Sequence, residues 1–314
     1  MHLLIDILLI VLPVFLVVGL GFSLKGSGLV DAEFLFRLNR LIYYVALPAL
    51  LFYKIATADF SASFDPRLLL GMVVSICTVF LCSYGYTVLR GYSPEARGAF
   101  TQGAFRGNLA YVGLAIAFNA YGVEGFAIAG ILVGFLVPLL NALAVLSLLL
   151  PQRQTNHSFS KAFWASQFVF NPLIIASFVG IIWSFFNLPL PQVVDRALDI
   201  LTGMSLPLAL ISIGASFSPR NLRGEVVKAV LASGIKIVWM PLLTAFILLL
   251  LGIRGMELGV GVVLAASPTA TAAYIMAQQL KSDAELSGSI IMLSTLLSVF
   301  TYSAALFFLR YSGL

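Results

Sequence analysis

The 314 residues are 61% hydrophobic and only 10% charged, with a mean hydropathy of +1.04 and a formal net charge of +5. A soluble domain carries about 25% charged residues, so this composition excludes a water-exposed globular enzyme or binding module and places nearly all of the chain in hydrocarbon. The basic excess is scattered over short connectors, which argues against a nucleic-acid footprint.

A membrane-crossing helix needs roughly 20 apolar residues, and ten such segments can be read in chain order. The first, 4–24, has no basic leader (Met1-His2-Leu3-Leu4-Ile5-Asp6) and no small-residue cleavage pattern at Leu24-Lys25-Gly26-Ser27, so it reads as a span and not as a cleaved signal peptide. Spans two and three cover 36–56 and 68–90; Cys77 and Cys82 in the third lie on different helix faces and read as packing residues. Span four, 97–119, is interrupted by Gly103-Ala104-Phe105-Arg106-Gly107-Asn108. Span five, 123–150, runs into Pro151-Gln152-Arg153-Gln154-Thr155-Asn156-His157-Ser158, which reads as a linker over 151–161. Spans six, seven and eight cover 164–186, 196–217 and 226–251, the last with Lys236 five residues before Pro241. Span nine, 256–279, is broken at Ser267-Pro268-Thr269, and span ten covers 285–310. No connector has room for a soluble catalytic or signalling domain.

The two halves repeat. At an offset of 159, Pro13 falls on Pro172, Gly21 on Gly180, Arg37 on Arg196 and Leu47-Pro48 on Leu206-Pro207. Glu95 meets Glu257 at 162 and Glu124 meets Glu285 at 161. A five-helix unit crosses the membrane an odd number of times, so its copy enters upside down. The expected organisation is an all-α polytopic membrane protein: a first five-helix repeat over 1–150, the linker 151–161, and an inverted repeat over 162–314. Inverted repeats with paired broken helices mark secondary transporters, and the breaks point to the binding site. Connectors after odd-numbered spans hold eleven Lys and Arg residues against five on the other side. Short loops rich in Lys and Arg stay cytoplasmic, which predicts a cytoplasmic linker and both termini outside.

Arg106 and Lys236 remain, well inside spans, where an ionisable group costs at least ~2.5–3.5 kcal/mol. Lys236 either faces the site or snorkels to the surface; Arg106 either faces the site or ties down carbonyls of the broken helix. All thirteen acids fall in connectors or near span ends, so an anionic ligand best completes the site, favoured also by half-helix N-termini. The same distribution disfavours a carboxylate proton relay and leaves sodium held by carbonyls and hydroxyls open. Pro268 is expected to leave the Leu264 carbonyl unpaired, with Ser267 and Thr269 capping the restarted half-helix. In span four, Gly103 and Gly107 weaken the helix and Asn108 is expected to satisfy freed backbone groups. Arg106 and Asn108 would splay by about 200° on a regular helix; an unwound segment aims both inward. No Cys/His cluster suggests a metal, and no nucleophile–base set suggests an enzyme, so no metal, cofactor or catalytic residue is expected.

At these residues the sequence resembles the auxin efflux carrier family, and specifically its bacterial members, within the bile acid/arsenite/riboflavin transporter superfamily. The resemblance rests on Arg106-Gly107-Asn108-Leu109-Ala110-Tyr111-Val112-Gly113, Asn171-Pro172-Leu173-Ile174-Ile175, Leu206-Pro207-Leu208-Ala209-Leu210 with Gly214, Lys236 with Pro241, and Ala266-Ser267-Pro268-Thr269-Ala270. It implies ten helices in two inverted repeats, with spans four and nine crossing at their unwound centres. It also implies a transport domain of spans 3–5 and 8–10 moving elevator-like against a scaffold of spans 1, 2, 6 and 7, through which a homodimer can form. Family substrates are organic anions: auxin in plants, malate or malonate for bacterial relatives. Two departures stand out. Ala115 occupies the place where the family pattern has a proline, which predicts a less open first crossover, and the long loop of some plant members is missing. The resulting expectation is a bacterial inner-membrane carrier of a small carboxylate. Gly107, Asn108, Ser267, Pro268 and Thr269 would contact substrate, Arg106 and Lys236 would supply positive potential, and Tyr111 and Asn171 would form the wall. The alternatives are a sodium-coupled symporter of the bile-acid type and a membrane sensor without flux.

Overall fold

The computed structural model describes residues 2–57, 64–152, 172–217 and 225–312. Asn171 and linker residues 153–161 lie outside the described residues. Among the described residues the regular structure is helical, and the one extended contact is an isolated antiparallel bridge between Gly107 and Thr269.

The first half comprises α1 (His2–Gly26), α2 (Ala32–Leu41), α3 (Leu47–Ala56), α4 (Pro66–Leu89), α5 (Pro94–Phe105) and α6 (Leu114–Leu149). The second comprises α7 (Pro172–Phe185), α8 (Gln192–Gly203), α9 (Ser205–Ser216), α10 (Val226–Gly234), α11 (Met240–Leu250), α12 (Gly255–Ala265), α13 (Ala272–Gln279) and α14 (Ala284–Tyr311). Seven described helical stretches are long and apolar enough to cross a membrane, with Pro172–Phe185 and Gly255–Ala265 as shorter apolar helices. The chain is therefore a polytopic helical membrane protein.

Local chemistry sets the helix ends. Asp31, Asp65, Ser93 and Asp283 each accept from an amide in the first turn that follows, satisfying a donor with no partner inside the helix. Pro66 and Pro94 follow two of these caps, where a missing N–H does no harm. Proline acts differently inside a span. Leu47-Pro48 and Met240-Pro241 are each preceded by a five-residue π turn, Ile42–Ala46 and Ile235–Trp239. A proline ring crowds the carbonyl four residues back and offers it no hydrogen, and widening the preceding turn relieves both problems. Gly122 adopts a positive φ of 65° and bends the long helix α6 at the boundary expected between spans four and five.

Close approach of small residues fixes the packing. α1 lies along α9 so tightly that a Cβ on Gly21 would sit 2.1 Å from the Ile211 carbonyl oxygen. α7 lies along α3, where a Cβ on Gly180 would sit 3.1 Å from the Phe52 carbonyl oxygen. A second cluster of Ala96, Ala99, Phe100, Ala229, Ala232, Leu286 and Ile290 joins α5, α10 and α14. Outward faces carry Leu9, Leu16, Trp239 and Phe300, each more than half exposed, a surface stable against lipid and not against water. Cys77 and Cys82 are free.

Candidate functional site

Two interrupted helices meet at the centre of the fold. α5 ends at Phe105, and the chain stays non-helical through Arg106 (φ −80°, ψ 93°) and Asn108 (φ −81°, ψ 66°) before a π turn, Leu109–Gly113, leads into α6. α12 ends at Ala265, and α13 begins at Ala272 with Thr271 as its cap residue. The two open stretches run antiparallel. The Asn108 amide donates to the Pro268 carbonyl at 2.7 Å, and the Ala270 amide donates to the Arg106 carbonyl at 2.9 Å. Backbone groups that neither broken helix can satisfy are thus paired with each other. Gly107 sits at the closest point: a Cβ there would lie 2.3 Å from Ser267 Oγ.

Side chains close the remaining carbonyls, in a pattern that corrects two expectations. The Leu264 carbonyl is not left open: Ser267 Oγ donates to it at 2.7 Å and the Ser267 amide at 3.2 Å. Removing one partner with Pro268 simply recruits the neighbouring hydroxyl. Nor does Thr269 cap the helix that follows it. Its Oγ1 donates to the Gly103 carbonyl at 2.8 Å, across the crossover, and its amide donates to Ser294 Oγ at 3.1 Å. The cap residues of the two restarts, Asn108 and Thr271, make no side-chain cap bond. Asn108 contributes its backbone amide; its side chain has no hydrogen-bond partner among the described residues.

The two intramembrane cations behave differently. Lys236 is fully buried on the π turn before Pro241 and does not snorkel; its Nζ donates to the Ala265 carbonyl at 2.5 Å. Lys236 therefore ties down a broken-helix carbonyl, the task weighed above for Arg106. Arg106 is 7% exposed and donates through Nη1 to Met276 Sδ and through Nη2 to Asn141 Oδ1 at 2.7 Å. Both acceptors are neutral. The ion pairs among the described residues, Arg37–Glu33, Arg67–Asp65 and Lys228–Glu225, lie at span ends.

Arg106, Gly107, Asn108, Lys236, Ser267, Pro268 and Thr269 are brought together, with Tyr111 one turn along; Asn171 is outside the described residues. Asn141, Met276 and Ser294 escaped the sequence reading. Asn141 had a signal, as a lone amide three residues after Pro138 within an apolar span. Met276 had none, since a methionine in a membrane helix reads as packing. α1, α3, α6, α8 and α9 line an open cavity of about 340 Å³ that reaches Ala115 and carries Lys54, Asn119 and Asp199 among apolar walls.

Residues 6–306 match the family model described as "Membrane transport protein". The chain belongs to this family. It is the auxin efflux carrier-like family, whose members are membrane transporters and not enzymes. Among its relatives is an "Uncharacterized transporter" of Methanothermobacter thermautotrophicus, 30% identical over 292 residues, covering 92% of this chain and 94% of the relative. A "Putative malonate transporter" of Rhizobium meliloti is 28% identical, covering 97% of this chain and 96% of the relative. "Auxin efflux carrier component 6" of Arabidopsis thaliana is 27% identical over 135 residues, which cover 41% of this chain and 24% of that carrier.

Proposed function

We propose that this protein is a secondary transporter that carries a small organic anion, with a substrate carboxylate held at the crossover of the fourth and ninth spans. The observation that carries this reading is Arg106: a buried guanidinium beside two uncapped helix starts, whose hydrogen-bond partners are a thioether and an amide oxygen. An unneutralised buried cation is costly, and a carboxylate would pair with it bidentately. Asn108, Gly107, Ser267, Pro268 and Thr269 line the same point, Tyr111 forms part of its wall, and Lys236 holds the Ala265 carbonyl behind it. The malonate in the name of the Rhizobium meliloti relative agrees with a carboxylate.

Several contacts support two inverted five-helix repeats. Dividing the 44-residue stretch Leu109–Gln152 at Gly122, and adding the two shorter apolar helices, turns seven spans into ten. Ala46 and Ser205, equivalent at offset 159, touch each other through a 2.9 Å hydrogen bond, as residues on a two-fold axis must. Gly21 against Ile211 and Gly180 against Phe52 are one contact made twice at that offset. At offset 162 the two crossover hydrogen bonds exchange, 106 with 268 and 108 with 270. The transport domain would be spans 3–5 and 8–10, rocking elevator-like on spans 1, 2, 6 and 7, which also offer a homodimer face. The protein would sit in a bacterial inner membrane with both termini outside.

Uptake of labelled mono- and dicarboxylates into proteoliposomes, with and without a sodium gradient, tests the function. Saturable uptake of one of them is expected; uptake of none contradicts the reading, and uptake that needs sodium identifies the symporter alternative. Cysteines placed at Asn156 and Gly122 in a Cys-free background are expected to label from opposite sides of the membrane. Same-side labelling contradicts the inverted repeat.

A further inference from the structure

The two halves of the crossover close the same carbonyl by different means, and the difference assigns a role to Lys236. At offset 162, Gly103 corresponds to Ala265 and Gly107 to Thr269. The Gly103 carbonyl, at the end of α5, takes its hydrogen bond from Thr269 Oγ1 at 2.8 Å. Symmetry would have position 107 return that bond to the Ala265 carbonyl at the end of α12. Position 107 is a glycine, and no hydroxyl can be placed there, because its Cβ would fall 2.3 Å from Ser267 Oγ. The bond comes from Lys236 instead. Its Cε passes 3.2 Å from where that Cβ would be, and its Nζ reaches the Ala265 carbonyl at 2.5 Å.

We infer that Lys236 is a positioning residue whose ammonium replaces the missing side chain of Gly107, fixing the carbonyl end of α12 so that the Ser267–Thr269 stretch keeps its course. The chemistry fits the location. A cation is favoured at a helix C-terminus, where the last carbonyls concentrate partial negative charge. The bond leaves the Ser267 hydroxyl free for the Leu264 carbonyl. Pro241 belongs to the same device, since the π turn ahead of it, Ile235–Trp239, carries the lysine. The consequence for transport rests on the crossover being the substrate site proposed above; the capping contact does not.

Three proteins decide it: wild type, Lys236→Met, which keeps the length without a donor, and Lys236→Gln, which keeps a neutral N–H donor. Amide hydrogen exchange over residues 264–270 is measured in nanodiscs without ligand, and proteoliposome uptake is measured with malonate and with its monomethyl ester. Removing a cap is worth about tenfold in an equilibrium. Lys236→Met is therefore expected to speed exchange in this segment about tenfold and to slow uptake of both probes by a common factor, with Lys236→Gln restoring most of each. Unchanged exchange in Lys236→Met overturns the inference. So does a Lys236→Gln protein with wild-type exchange but uptake as poor as Lys236→Met, or a malonate-to-monoester ratio displaced about tenfold, since either means the charge touches substrate. If Lys236→Met does not purify, the exchange of Lys236→Gln decides alone, near-wild-type protection being the supporting result. If wild type takes up neither probe, the carboxylate reading falls and the exchange comparison still judges the cap.

Discussion

The break in span nine contains a proline and the break in span four does not, yet the two stretches pair residue for residue, with hydrogen bonds of 2.7 and 2.9 Å. Pro268 breaks its helix by local chemistry, through a missing donor and a ring that crowds the preceding turn. Arg106-Gly107-Asn108 would tolerate a helix, and it is opened by what it gains outside one: the Pro268 carbonyl for the Asn108 amide and the Ala270 amide for the Arg106 carbonyl. One break is written into its own segment. The other is imposed by its partner, and Gly107 is the residue that permits the approach.

That contrast predicts unequal damage from substitution. Gly107→Val is expected to be the most harmful, because its Cβ would meet Ser267 Oγ at 2.3 Å and force apart the contact both breaks depend on. A cost of about 3 kcal/mol, the upper end of what overpacking typically brings, with loss of uptake, is the expected outcome of thermal melts and proteoliposome assays. Wild-type stability would mean that the two stretches can separate without penalty. Thr269→Val removes the hydroxyl from the Gly103 carbonyl while preserving shape, and is expected to cost about 1–3 kcal/mol, since it leaves a buried acceptor unmet; an unchanged melting temperature would show that this carbonyl finds another donor. Pro268→Ala is expected to be the mildest. The bridge uses the Pro268 carbonyl and not its nitrogen, so the open geometry survives, stability moves by less than about 1 kcal/mol, and uptake falls only in part. Complete loss of uptake with a more stable fold would mean that proline alone holds span nine open.

Much of this architecture can be read from local signals. Apolar runs set off by short connectors mark the spans, and Pro268 announces a break. Both breaks, and the cations beside them, are visible because polar groups in an apolar run have few neutral explanations. The partner of each polar group is not visible. Leu264 looks orphaned until Ser267 folds back on it, and Thr269 looks like a local cap until Gly103 arrives from another span. Lys236 could snorkel to the surface until the Ala265 carbonyl is found at its tip. Each of these bonds joins groups whose proximity depends on tertiary packing, to which sequence periodicity is blind. Met276, which holds the Arg106 guanidinium together with Asn141, is hidden for the same reason.

If the Arg106 guanidinium holds a substrate carboxylate, Arg106→Gln abolishes that contact and little else. Its present partners are the Met276 thioether and the Asn141 amide oxygen, so removing the charge strands no buried carboxylate and the protein is expected to insert and purify. Malonate uptake into proteoliposomes is compared between wild type and Arg106→Gln at matched protein levels. A loss of at least about tenfold is expected, as for removing a charged hydrogen-bond partner from a buried site. Uptake at the wild-type rate by a well-folded Arg106→Gln protein would place the anion somewhere other than the crossover.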